Sequence, residues 1–349
     1  VKLLKRVTVS IAAIAISFLI GFLFIKWQGN SPVQAFKALY SYGIGSWFSF
    51  ASTLNAATPL ILTGISAAIA FGSGVVNLGQ HGQFLMGAIV AALLGAYLNL
   101  PGWLGITVIV LCGGIAGALW AGIAALLKKL YSMDEFISTL MLNFVSEYLT
   151  LYLATYPFLD PKAYVPATKV IQRSYFMHSF GMLNMSFLVA VVIAFLSYWF
   201  MRNLKIGYEF RMMGYNAVFA KTGGCAVEKN THLVLLYTGF LSGLAGALLI
   251  LGGTQHRFMK GIGANFGWDG VMLAIIADNG ILETLFYAVF FGFLKTGGIG
   301  MEFETSVPSE FILVLQAVIV MIVVGSRSAI DYFGDRIRAR FTVRKVVTD

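Results

Sequence analysis

One asparagine, two glutamines and a histidine fall within Asn77-Leu-Gly79-Gln80-His81-Gly82-Gln83, between long apolar runs. Asn77, Gln80, His81 and Gln83 offer hydrogen-bond donors and acceptors without a fixed charge. That chemistry suits recognition of a neutral polar solute on a transport pathway. Two other readings of the same residues stay open. Small residues and amides also build helix–helix contacts in membranes, and a polar turn at the end of a span is simply solvated. His81 further raises a proton-relay reading, though no carboxylate lies near it in the sequence.

The pattern recurs. Asn77-x-Gly79-x-x-Gly82-x-x-Leu85 matches Asn265-x-Gly267-x-x-Gly270-x-x-Leu273, and each copy opens an apolar run. Glycine is abundant enough for a chance match. If the match is a true repeat, the two copies are inverted, and transporters place the substrate path at such a repeat interface, among interrupted helices. Asn265 and Asp269 therefore join the candidate pathway residues. Asp269 reads either as a rare charge inside a span or as a residue at the outer membrane edge.

The elements that must position these groups follow from composition. Of 349 residues, 58% are apolar and 11% charged, against about 25% charged in soluble domains. Lipid is the expected solvent. The net charge of +9 collects near the chain ends and in a few loops, which reads as membrane topology and not as nucleic-acid binding. Cys112 and Cys225 have no metal-ligand spacing and imply no disulfide framework.

Apolar runs long enough to be considered as spans lie near 8–25, 50–71, 83–99, 104–127, 135–156, 184–200, 232–252, 266–278, 281–296 and 309–325. The fold class expected is an all-α polytopic membrane protein with about ten transmembrane helices, inverted internal repeats and broken or re-entrant helices. It is read as one transmembrane domain over 1–349. An N-terminal anchor at 8–25 has no small-residue cleavage site after it, the core covers 50–325, and a basic tail covers 327–349. The run at 266–278 is short for a crossing: it spans only if neighbouring backbone helps, and a broken or re-entrant helix paired with 281–296 is an equal reading. With a cytoplasmic N-terminus, the even-numbered spans end among basic residues, at Lys128-Lys129, at Arg202 and Lys205, and at Arg327. Both termini are thus expected in the cytoplasm. Outer loops also carry Lys162, Lys169, Arg173, Arg257 and Lys260, so the rule supports this topology only in part.

The loop 201–231 is expected to carry an amphipathic helix from Glu209 to Lys221, with Phe210, Met213, Ala217 and Ala220 on its apolar side and Gly223-Gly224 ending it. A displayed helix of this kind docks into a partner's groove or rests on the membrane surface. No G-x-x-x-x-G-K-[ST] segment, H-E-x-x-H motif or nucleophile elbow with a partner base is present. The chain is expected to be non-catalytic, with no cofactor of its own.

VVNLGQHGQFLMGA resembles the N-[IL]-G-x-[EH]-G-Q-x-[LM]-x-G-A segment of bacterial ABC-importer permeases for simple sugars and nucleosides. YEFRMMGYNAVFAKTGGCAVEK resembles their coupling segment, with Arg211, Gly214, Asn216, Ala220 and Gly224 at matching positions. LSGLAGALLILGG at 241–253 and GIGANFGWDGVMLAIIADN at 261–279 resemble the next two blocks, so the likeness covers roughly 50–325. His81 stands where Glu is common, Met212 where Ala is common, and Cys225 at the usual Ile. Val218 and Phe219 replace smaller or polar residues.

The resemblance implies a permease subunit of the bacterial inner membrane. It would pair with a second permease, identical or paralogous. A cytoplasmic ABC ATPase subunit would grip the 209–224 helix, from Glu209 to Gly223 and Gly224, and hydrolyse the ATP. A periplasmic or lipoprotein solute-binding protein would deliver a nucleoside or simple sugar; riboflavin or another ring-containing vitamin is the alternative cargo. The rival from another class is an ion-coupled secondary transporter, for which Glu147, Asp269 and Glu283 are the candidate carboxylates. That reading gives the 209–224 helix no role. A channel or an intramembrane enzyme has less support still.

Overall fold

In hydrocarbon every backbone N–H and C=O must be paired, so apolar segments of this length fold as helices. The computed structural model describes residues 2–263 and 265–326, with side chains described from residue 12. The expected basic tail, and the side chains of Lys2, Lys5 and Arg6, lie outside the described residues. The helices are α1 (Lys2–Trp27), α2 (Pro32–Ile44), α3 (Trp47–Gly72), α4 (Gln80–Tyr97), α5 (Gly102–Tyr131), α6 (Glu135–Thr155), α7 (Met185–Asn203), α8 (Lys205–Tyr215), α9 (Ala217–Thr222), α10 (Val227–Gly252), α11 (Phe266–Ile276) and α12 (Ile281–Glu304), then α13 (Phe311–Ser326). α3, α5, α6, α7, α10 and α12 are long and apolar enough to cross a membrane. The protein is an all-α polytopic membrane protein, and each of the ten apolar runs read from the sequence lies on a helix.

Two local differences from the sequence reading have clear causes. α2 lies outside the ten apolar runs: Ser31 accepts from the Gln34 N–H as its cap and Pro32 opens it, a standard helix start. The single helix expected from Glu209 to Lys221 is two. Asn216 takes an extended backbone (φ −162°, ψ 105°) and its side chain accepts from the Phe219 N–H, ending α8 and capping α9. This break rotates Ala217 out to solvent and carries Ala220 inward.

The chain forms two compact units. Among the described residues, one comprises 2–45 and 297–326, the other Ser46–Thr296. In the first, Phe24 stacks on Phe311 with ring centroids 5.7 Å apart, and Phe36 packs on Phe18 and Phe22. In the second, small residues let α10 lie close against α4 and α5, with Gly243 facing both Gly87 and Gly117.

Contacts within this second unit fix helix directions. Ser66 of α3 donates to the Thr238 carbonyl (2.8 Å) and accepts from Ser242 (2.9 Å). α4 follows α10, since Asn77 meets Thr238 and Gly87 meets Gly243. α11 follows α3: Gly270 lies against Thr63, Leu273 near Gly64 and Asn279 near Gly72. Gly72 at the end of α3 meets Gly214 of α8, next to Met213, which accepts from Thr231 at the start of α10, so α3 and α10 are antiparallel and α4 and α11 run apart in opposite directions. At 1.5 Å per residue, the 11 residues of α11 cover about 16 Å, roughly half a hydrocarbon core of about 30 Å. The run at 266–278 therefore holds a half-length helix.

The segment between α6 and α7 holds a two-stranded hairpin, β1 (Ser179–Phe180) and β2 (Leu183–Asn184). It covers the end of the unit where α4 and α10 finish. Gln172 donates its N–H to the Gly95 carbonyl (2.9 Å), and the Tyr175 hydroxyl donates to the Leu98 carbonyl (2.8 Å). Thr168 N–H donates to the Phe258 carbonyl (2.9 Å), tying the segment 253–265 into the same cover. Within it the His256 ring stacks on Phe176 at 3.6 Å. Burial holds the imidazole below its usual pKa of 6.5, against the opposing effect of its Nδ1 bond to the Ile250 carbonyl.

Candidate functional site

The break between α3 and α4 is held by side-chain amides. Asn77 is fully buried; its Oδ1 accepts from the Gly79 N–H (2.8 Å) and from Gln83 Nε2 (3.1 Å), while its Nδ2 donates to Thr238 Oγ1 (3.0 Å). From α6, Asn143 accepts from the Gly82 N–H and donates to the Leu78 carbonyl, both at 2.8 Å, and Thr139 accepts from the Leu78 N–H (3.1 Å). These bonds satisfy backbone groups that a helix start leaves orphaned. Gln80 is also fully buried, and its amide has no hydrogen-bond partner among the described residues.

His81, one turn on, faces different surroundings. A cavity of about 300 Å³ opens in the second unit beside it, lined among others by His81, Glu147 and Thr150 of α6, Lys260, Asn265 and Trp268. That volume is at the lower end of pockets that hold small molecules. Its charged groups are one acid and one base, and Glu147 acts electrostatically on His81. The His81 Nδ1 has no hydrogen-bond partner among the described residues. The cavity thus presents an imidazole, an amide, a hydroxyl, opposed charges and an indole, a set able to bond a small polar ring on several edges.

The two repeated motifs meet here. A Cβ at Gly267 would collide with the His81 backbone, so glycine is what lets the start of α11 rest on the start of α4. Phe84 and Phe266 pack beside this contact with centroids 5.9 Å apart. Asn265, at the α11 N-cap, has φ +69° and makes no side-chain cap bond.

Of the six pathway candidates, the structure brings His81 and Asn265 to the cavity. Asn77 and Gln83 hold the helix break, Gln80 is enclosed, and Asp269 is fully buried in an ion pair. Its Oδ2 lies 2.7 Å from Lys295 Nζ, and the same ammonium sits 4.9 Å from the Phe266 ring centre. Thr150, Lys260, Trp268 and Lys295 escaped the sequence reading. Trp268 and Asp269, the partner of Lys295, lie inside the second motif, which is the available signal; Lys260 reads in sequence only as a loop charge.

The expected coupling residues cluster on α8 and α9. A Cβ at Gly214 would strike the Gly72 carbonyl, so glycine seats α8 on the end of α3. Glu209 accepts from Asn230 Nδ2 (2.8 Å), tying α8 to α10. Arg211 is half-buried, Gly223 caps α9, and Gly224 follows at φ +88°. Tyr215, Val218 and Phe219 stand out, 85%, 76% and 63% exposed, as an apolar tip beside Lys221.

Known proteins share this organisation in sequence. The family described as branched-chain amino acid transport system / permease component matches residues 49–324. The guanosine ABC transporter permease protein of Bacillus subtilis is 29% identical over 93% of this chain and 95% of its own length. The glucose ABC transporter permease protein of Haloferax volcanii is 26% identical over 84% and 81%. A probable riboflavin import permease protein of Treponema pallidum is 24% identical over 93% and 87%. The matched span contains both helix breaks, the cavity and the α8–α9 tip, and the chain belongs to this family of transport-system permease components.

Proposed function

We propose that this chain is the permease subunit of an ATP-driven importer carrying a small neutral polar solute, a nucleoside or a simple sugar, into the cytoplasm. The observation that carries the reading is the family match across 49–324, joined to near end-to-end similarity with a guanosine permease. Riboflavin is the alternative cargo, carried by a relative of lower identity. In this reading the chain pairs with a second permease in a bacterial inner membrane. Both termini are cytoplasmic, ten membrane segments, one of them the half-length α11, include inverted halves built around α4 and α11, and the site includes the cavity at His81 and Asn265. Asn77, Gln80, Gln83 and Asp269 shape its walls.

The tip at Tyr215, Val218 and Phe219 docks a cytoplasmic ATPase subunit, which performs the hydrolysis; Glu209, Arg211, Gly214, Asn216, Ala220, Gly223 and Gly224 hold that tip in place. A solute-binding protein delivers cargo at the opposite end. ATP-driven rearrangement then exposes the cavity to one side at a time. Competition binding of guanosine, glucose and riboflavin to the cognate binding protein tests the cargo. Binding of guanosine or glucose in preference to riboflavin supports the proposal, and riboflavin alone overturns the assignment.

A further inference from the structure

We infer that Lys295 and Asp269 are positioning residues that set where α11 begins, and with it the Asn265–Trp268 wall of the solute cavity; this rests on the permease reading above. Asp269 is the one fully buried charged side chain among the described residues, and it lies in the first turn of a helix only 11 residues long. A helix that short is not anchored by its own length, and its N-cap residue makes no side-chain cap bond.

Three contacts locate its start. Thr63 donates to the Phe266 carbonyl (3.0 Å), Gly267 rests on His81, and Lys295 reaches Asp269 at 2.7 Å while lying over Phe266. The first two permit close approach. The ion pair adds direction, because an ammonium held between a carboxylate and a ring face fixes both residues of one helical turn. The helix N-terminus favours the carboxylate as well. Burying two charges stabilises a fold poorly, since apolar replacements of such pairs are often neutral or stabilising. A fixed register beside a binding cavity is a better reason to retain them. The pair touches neither the cavity nor its contents; it acts through Asn265 and Trp268.

The test uses the full chain with Cys112 and Cys225 replaced and Trp268→Cys introduced as a reporter, reacted with a hydrophilic maleimide in membranes. Asp269→Asn/Lys295→Met removes both charges, so that no lone buried charge compromises folding. The expected result is normal insertion with the labelling rate of the introduced thiol changed at least about threefold, whereas the charge-keeping Lys295→Arg, with Asp269 intact, keeps it within about twofold of the unmodified pair. In the cysteine-free chain with Trp268 intact, assembled with its ATPase and binding protein, the same double change should raise the half-saturating guanosine concentration about tenfold with maximal rate preserved. An unchanged labelling rate in the double variant overturns the inference, whatever the cargo. Absence of guanosine uptake by the unmodified complex counts against the permease reading and leaves the labelling result to decide the role of the pair.

Discussion

Asn77 makes four side-chain hydrogen bonds, to Thr238, to the Gly79 N–H and twice to Gln83, whereas His81, four residues on, lines the cavity. That contrast assigns them different work. Asn77→Ala strands several buried groups at about 1–3 kcal/mol each, so thermal unfolding in detergent is expected to show a loss of at least about 2 kcal/mol. His81→Ala is expected to leave unfolding nearly unchanged and to raise the half-saturating solute concentration about tenfold in uptake assays. A third residue sets a pH dependence. With its pKa held below 6.5 by burial, His256 binds a proton more readily in the unfolded chain. Its stability contribution is complete above 6.5 and declines as pH falls below that value. His256→Asn, which tolerates the local φ of +47°, is expected to flatten the fall in melting temperature between about pH 7 and pH 5.

Among the elements, the α8–α9 pair and the half-length α11 carry the argument. Phe219→Asp places a charge on the exposed tip while α8 stays seated through Gly214 and Glu209. Recovery of the ATPase subunit with the tagged permease is expected to fall at least about tenfold, with the amount of permease in the membrane unchanged. The helices themselves were legible, because a run of apolar residues in lipid has few alternatives to a helix. So was the shortness of α11, which follows from counting residues. The split at Asn216 was harder to see, since the apolar spacing of Phe210, Met213 and Ala217 fits one continuous helix and the competing Asx cap is local. The cavity was only partly legible. His81 and Asn265 were marked by motif, but the neighbours that complete the wall come from distant chain. Asn143 reaches Gly82 across 61 residues, and no spacing rule announces that Glu147 or Lys260 shares a cavity with His81. Lys295 was unreadable for the same reason, because only the packed structure puts it beside Asp269.

For the whole molecule the central question is what drives transport. A secondary transporter would use an available intramembrane carboxylate to bind its ion. Of its candidate carboxylates, Asp269 is engaged by Lys295 while Glu147 lines the cavity; the α8–α9 tip, to which that reading gives no role, offers an exposed apolar surface suited to docking an energy-supplying subunit. The most direct measurement is uptake of labelled guanosine into proteoliposomes that hold this chain with its permease partner, ATPase and binding protein. Uptake is predicted to require ATP on the ATPase side and the binding protein on the other, and to persist when proton and sodium gradients are collapsed. Uptake by the isolated chain, driven by such a gradient without ATP, would contradict the account.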